Sequence, residues 1–160
     1  MFTYNFYIEP GRFQLVVSFI VASFLPKMTN DAHPGALDVA LDTACLFIDS
    51  DPSLCFKEYA DKITTTTIDK SFGGRSQEKG KALLLKMMEV DECSTVASIL
   101  IGKLNDKKPK IPPICLEVLK EGIVCFGAKS FPVKEIIASL KPVLAGSNSA
   151  ARELVLRYAH

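Results

Sequence analysis

The sequence predicts an all-α protein, a HEAT-like α-solenoid of stacked antiparallel helix pairs, and three observations carry that expectation. Apolar residues recur at three- and four-residue steps from Pro34 to the C-terminus. No segment joins strict apolar/polar alternation to hairpin turn chemistry, so half-buried strands are not expected. The helices also come in pairs whose starts alternate in kind, and the unit recurs roughly every 34 to 42 residues, the range of helical-hairpin repeats. One helix of each pair follows a polar break containing lysine or glycine, before Pro34, Arg75, Pro109 and Ser147. The other follows a short acidic or glycine-bearing turn, before Leu54, Cys93 and Pro132. Identity between the units is low, which leaves a non-repeating bundle as the alternative architecture.

Residues Phe13 to Leu25 (FQLVVSFIVASFL) are the most apolar segment, interrupted by Gln14, Ser18 and Ser23 and closed by Pro26-Lys27. The run is about 13 residues, short of the roughly 20 that a spanning helix needs. Its length suits a signal-peptide core, but the preceding region carries Glu9 and a single Arg12 instead of a basic cluster, and the cleavage pattern is poor. Residues 1–27 are therefore expected to be a hydrophobic extension or a buried first helix, with secretion or anchoring as the alternative. A membrane partner is not expected.

From Pro34 the pattern becomes regular. Pro34 suits a first helical turn, and Leu37, Leu41, Ala44 and Ile48 share one face up to the Asp49-Ser50-Asp51-Pro52 turn. A second helix, from about Ser53 or Lys57 to Lys70, points Tyr59, Ile63 and Ile68 inward, although its Thr64 to Thr67 run is β-branched. Gly73-Gly74 breaks the chain. A third helix runs from Ser76, an N-cap candidate, to Glu89 with Ala82, Leu83, Met87 and Val90 apolar. After Asp91-Glu92 a shorter helix from Cys93 to Leu104 carries Val96, Ile99 and Leu100.

The next helix, Pro109 to Phe126, has a wide face of Ile111, Ile114, Cys115, Val118, Leu119 and Ile123. Its prolines cluster where first-turn amides have no helical partner, and Gly127 ends it. Another helix begins after Pro132 with Val133, Ile136, Ile137, Leu140 and Val143 inward and stops at Gly146. Ser147 or Ser149 caps a last one through Ala150, Leu154, Val155 and Tyr158. Seven or eight helices in all are expected.

At 160 residues, with 48% hydrophobic and 23% charged residues, the chain suits one core-bearing domain that folds without metal or disulfide. Nineteen Lys+Arg against eighteen Asp+Glu give +1, which argues against a nucleic-acid partner, since a phosphate footprint is strongly basic. Only a local basic patch is left to serve an acidic partner. Cys45, Cys55, Cys93, Cys115 and Cys125 form no C-x-x-C pair and have no histidine at zinc-site spacing; they read as buried thiols in a reducing compartment. His33 reads as a loop residue. With His33 and His160 the only histidines and no Gly-rich phosphate loop or nucleophile elbow, no enzyme, cofactor or metal site is expected.

The loop residues add a family resemblance. Leu104-Asn105-Asp106-Lys107-Lys108-Pro109-Lys110-Ile111, then Cys125-Phe126-Gly127-Ala128-Lys129 and Pro132-Val133-Lys134, resemble the fourth-repeat loop and helix of TOG domains, the HEAT-repeat tubulin-binding arrays of microtubule polymerases. Asp69 to Lys79, followed by Lys81-Ala82-Leu83-Leu84-Leu85, resembles the third-repeat loop, and Asn148 to Glu153 the fifth. The resemblance runs over residues 28–160, in order and with matching spacing. It implies that the intra-repeat loops share one edge that grips curved αβ-tubulin, with long cations at the loop tips reaching its carboxylates.

Carried over by position, Arg75 and Lys79 serve from the third loop, Lys107, Lys108 and Lys110 from the fourth, and Arg152 from the fifth. The resemblance also implies a cytoplasmic, cytoskeletal location at microtubules, spindle or centrosome, and a role in microtubule polymerisation. The family's first-loop tryptophan has no counterpart, the chain contains no Trp, and Ser149 stands at a family lysine position. The chain ends within the fifth repeat, so the array is expected to be partial. Bland readings stand beside these residues: Lys107, Lys108 and Lys110 as a solvated helix-start loop, Arg75 as a surface residue after a helix stop, and Arg152 as the partner of nearby Glu153 or Asp residues. A HEAT-type scaffold that binds another protein through its helix faces is the alternative function.

Overall fold

Helix pairs stacked in two layers make up the molecule. The structure, a computed structural model, describes residues 10–51 and 55–158. Its helices are α1 (Pro10–Met28), α2 (Pro34–Ser50), α3 (Ala60–Ser71), α4 (Gln77–Met87), α5 (Cys93–Gly102), α6 (Ile111–Phe126), α7 (Val133–Ala145) and α8 (Ser149–Tyr158). Among the described residues there is no β-strand. Consecutive helices pair as α1/α2, α3/α4, α5/α6 and α7/α8; α3, α5 and α7 stack in one layer and α2, α4, α6 and α8 in the other. The all-α, HEAT-like expectation holds. Expectations for residues 1–9, Ser53, Leu54 and His160, and for the Tyr158 side chain, lie outside the described residues.

The stacking has a measurable period. Thr29 Oγ1 meets Thr66 Oγ1 at 2.6 Å, Arg75 pairs with Asp38 at 2.7 Å, Lys81 with Glu117 at 2.9 Å and Lys103 with Asp69 at 2.6 Å. Their sequence separations of 37, 37, 36 and 34 place each partner on the next helix pair. The core between the layers is continuous, with Leu41, Ile63, Leu83, Leu84, Val96 and Cys115 fully buried. At roughly 1.5–3 kcal/mol per fully buried large aliphatic side chain, this interior supplies the main driving force for stacking.

Several local features differ from the expectation for physical reasons. α1 is a helix, but it presents Leu15, Val16, Phe19, Ile20 and Phe24 to solvent and buries chiefly Ala22 and Leu25, because among the described residues helices pack against one side of it only. It also pairs with α2 and packs on α3, so it belongs to the same stack of helix pairs. No helix is long and apolar enough to cross a membrane among the described residues.

The segment between α2 and α3 is a 3-10 turn, Cys55–Tyr59, held by the Cys55 amide donating to Asp51 Oδ2 at 2.6 Å. The threonine run stays helical because Thr64 and Thr67 are buried against neighbouring helices, where tertiary contact outweighs weak propensity. α4 leads into α5 through a π-turn, Met88–Glu92, where an open acidic turn was expected. Leu84 takes the buried place expected of Ala82, which is exposed, while Val133 and Ile137 on α7 face solvent. Of the cysteines, Cys55, Cys93 and Cys115 are buried and Cys45 partly so, but Cys125 is exposed near the end of α6.

Candidate functional site

The loops inside the helix pairs lie along one edge, at residues 29–33, 72–76, 103–110 and 146–148, and hydrogen bonds and packing chain them together. His33 is more than a loop residue: its Nδ1 accepts the Ala36 amide at 3.4 Å and caps α2. One turn later Asp38 reaches the next loop, where Oδ1 accepts the Ser76 hydroxyl at 2.5 Å and Oδ2 accepts Arg75 at 2.7 Å. Ser76 therefore precedes α4 without capping it through its side chain. The Ser76 hydrogen bond first, and the Arg75 guanidinium second, hold the Asp38 carboxyl below its ordinary value.

Gly73, in a left-handed conformation at φ +75°, lies under the Lys110 stem; a Cβ there would stand 3.0 Å from Lys110 Cβ and Cδ. The third and fourth loops are thus in contact. Asn148 extends the row by donating from Nδ2 to the Pro109 carbonyl at 2.9 Å while its Oδ1 accepts the Ala151 amide at 3.2 Å. It is Asn148, not Ser147 or Ser149, that caps α8.

The cations on this edge fall into two electrostatic classes. Arg75 pairs with Asp38, and Lys79 pairs with Asp42 while its Nζ lies 3.5 Å from the Asp38 carbonyl. Lys107, Lys108 and Lys110 are exposed and have no ion-pair partner among the described residues. Together with Phe72, Gly73 and Ile111 they line a shallow depression of about 460 Å³. Arg152 is exposed in the first turn of α8. Its expected alternative partner, Glu153, is taken by Arg157 at 2.8 Å.

A row of loop-tip cations on a stacked helical scaffold can dock an acidic protein surface. The family model described as XMAP215/Dis1/CLASP, TOG domain, matches residues 12–157. The chain belongs to this family. The match takes in most of α1 as well as the array downstream of it. TOG domains are helical tubulin-binding domains and not an enzyme family. Centrosomal protein 224 of Dictyostelium discoideum is 27% identical over 130 residues, which cover 79% of this chain and 6% of that protein. The chain spans a small part of that relative's length. No solved structure matches it significantly.

In this TOG domain the structure joins the third- and fourth-loop cations through Gly73 and Lys110, and ties the fifth loop on through Asn148. No hydrogen bond or ion pair links Arg152 to the other five cations among the described residues. Sequence reasoning missed Asp38, Asp42 and Asn148. The signal for the two acids was present: each sits 37 residues before a loop cation, one helical-hairpin period away.

Proposed function

We propose that this chain is a tubulin- and microtubule-binding module of a microtubule-associated protein, acting in microtubule polymerisation through the basic loop edge. The observation that carries this reading is the set Lys107, Lys108 and Lys110: three exposed cations without ion-pair partners among the described residues, on a loop braced from both sides by Gly73 and Asn148. Long cations held over a stiff base attract carboxylates at long range and select among them by spacing. Arg75, Lys79 and Arg152 complete the edge. The helical array from α1 to α8, which takes in the 28–160 segment and the apolar helix ahead of it, is the unit that engages αβ-tubulin. Family membership supports tubulin as the partner, and the name of the Dictyostelium relative supports a cytoskeletal, centrosomal setting.

Gel filtration of the full chain with soluble αβ-tubulin, at low and moderate salt, tests the proposal. A complex should form at low salt and weaken as salt rises, because exposed charges are screened over about 10 Å at 0.1 M. Lys107→Glu/Lys110→Glu should abolish it. No co-elution at low salt would refute the reading. Co-elution that survives both the charge reversal and moderate salt would move the contact to the helix faces and favour a scaffold that does not use the loop edge.

A further inference from the structure

We propose that Asp38 and Asp42 mask Arg75 of the third loop and Lys79 in the first turn of α4, so that an acidic partner is met first by the fourth loop and the third loop is held in reserve. This rests on the reading of the loop edge as a site for an acidic surface, and it adds an internal competitor for that site.

The argument is one of register. α2 and α4 lie side by side in the same layer and run parallel, so a residue on α2 meets the residue one period later on α4. Asp38 faces Arg75, Asp42 faces Lys79, and Asp49 faces Lys86 at 2.8 Å, all at the same offset of 37. The acids are spaced by four and seven residues, which places them on one face of α2. Three pairs at one offset form a ladder in which each acid is presented by a rigid helix.

The same offset explains why the fourth loop is open. Thirty-seven residues before Lys110 stands Gly73, and the Lys110 stem packs over it, so the two loops meet at this offset although Lys81 and Glu117 on the helices behind them are 36 apart. One period before Lys108 stands Ser71, and before Lys107 stands Lys70. None of the three is an acid, so the ladder has no rung to offer these lysines. The masked cations remain reachable: the Arg75 side chain is 70% exposed, and Lys79 and Asp42 are 41% and 56% exposed. A partner carboxylate can therefore displace Asp42, but it must compete with it.

Asp42→Asn is the cleaner probe, since Asp42 is more exposed than Asp38, which also holds Ser76. Asp61→Asn makes the same charge change at the opposite end of α3 from the third loop and serves as the control. In the full wild-type chain, an amine-acetylating reagent followed by mass spectrometry should modify Lys79 more slowly than Lys107 and Lys108. Asp42→Asn should raise the Lys79 rate and leave the fourth-loop rates alone.

A fluorescent glutamate-rich peptide, titrated at low salt, should bind Asp42→Asn about two- to fivefold more tightly than wild type, the range set by an exposed ion pair. Asp61→Asn should show no such gain, and Lys79→Gln in the Asp42→Asn background should erase it. Wild-type Lys79 reacting as fast as Lys107, or equal gains from Asp42→Asn and Asp61→Asn, would overturn the mask. If αβ-tubulin fails to bind any variant while the peptide and labelling results hold, the mask stands and tubulin is removed as the partner.

Discussion

Replacing Gly73 by alanine tests whether the third loop is set by its left-handed turn and by its contact with Lys110 together. At φ +75° an L-residue costs roughly 1–2 kcal/mol. Alanine also restricts the unfolded chain, which offsets about 0.4–1 kcal/mol of that cost. The new Cβ would stand 3.0 Å from both Cβ and Cδ of Lys110, tighter than ordinary carbon–carbon contact at about 3.5–4.0 Å. The exposed Lys110 can rotate its Cδ away, but its Cβ is fixed to the backbone at the start of α6, so relief takes a shift of a few tenths of an ångström in the fourth loop. The net loss is about 1 kcal/mol, a fall in Tm of roughly 2–4 °C for a chain of this size.

Gly127→Ala is the comparison. Gly127 has φ +82°, and a Cβ there meets nothing within 4 Å, so it carries backbone strain without touching a loop lysine. Thermal and urea unfolding should show a loss in both variants. Gel filtration with αβ-tubulin should show weaker co-elution for Gly73→Ala alone. A Gly73→Ala protein as stable as wild type would refute the strain argument, and equal weakening of tubulin binding by Gly127→Ala would refute the coupling of the two loops through Lys110.

Two further outcomes are expected. Because the folded state lowers the Asp38 pKa from 3.8, its contribution to stability is complete above about pH 5 and fades as pH falls through that value toward the lower folded one; in urea titrations the gap between wild type and Asp38→Asn should shrink from pH 7 to pH 3, and a constant gap would contradict the hydrogen-bonded pairing. Among the thiols, exposed Cys125 should react with a disulfide reagent in the native protein, whereas Cys115, whose pKa burial pushes to about 12, should react only on unfolding; prompt native reaction at Cys115 in peptide mapping would overturn its placement in the core.

What the sequence made legible follows from what is local. The positions of α2, α4 and α6 are written in apolar residues three and four apart, such as Leu37, Leu41, Ala44 and Ile48, all of which are buried. The place of α1 in the stack is not local: Leu15 and Phe19 look like core residues in any window, and they are exposed because no helix among the described residues covers that side. Cys125 fails for a related reason, since its helix faces solvent there near its end, and Ser147 and Ser149 were as plausible caps as Asn148 until the Pro109 carbonyl selected it.

The site was legible as cations but not as a circuit. Lys107, Lys108 and Lys110 stand out by composition, and so does Arg75. What separates them is whether an acid stands 37 residues earlier, and that question has meaning only once the stacking offset is known. The near-zero net charge follows in part from the same ladder: Asp38, Asp42 and Asp49 cancel Arg75, Lys79 and Lys86 in place. Where the preceding period supplies Lys70, Ser71 and Gly73 instead, the charge is left over. A sum over the chain discards the register, and the register decides which cations an acidic partner can reach without competition.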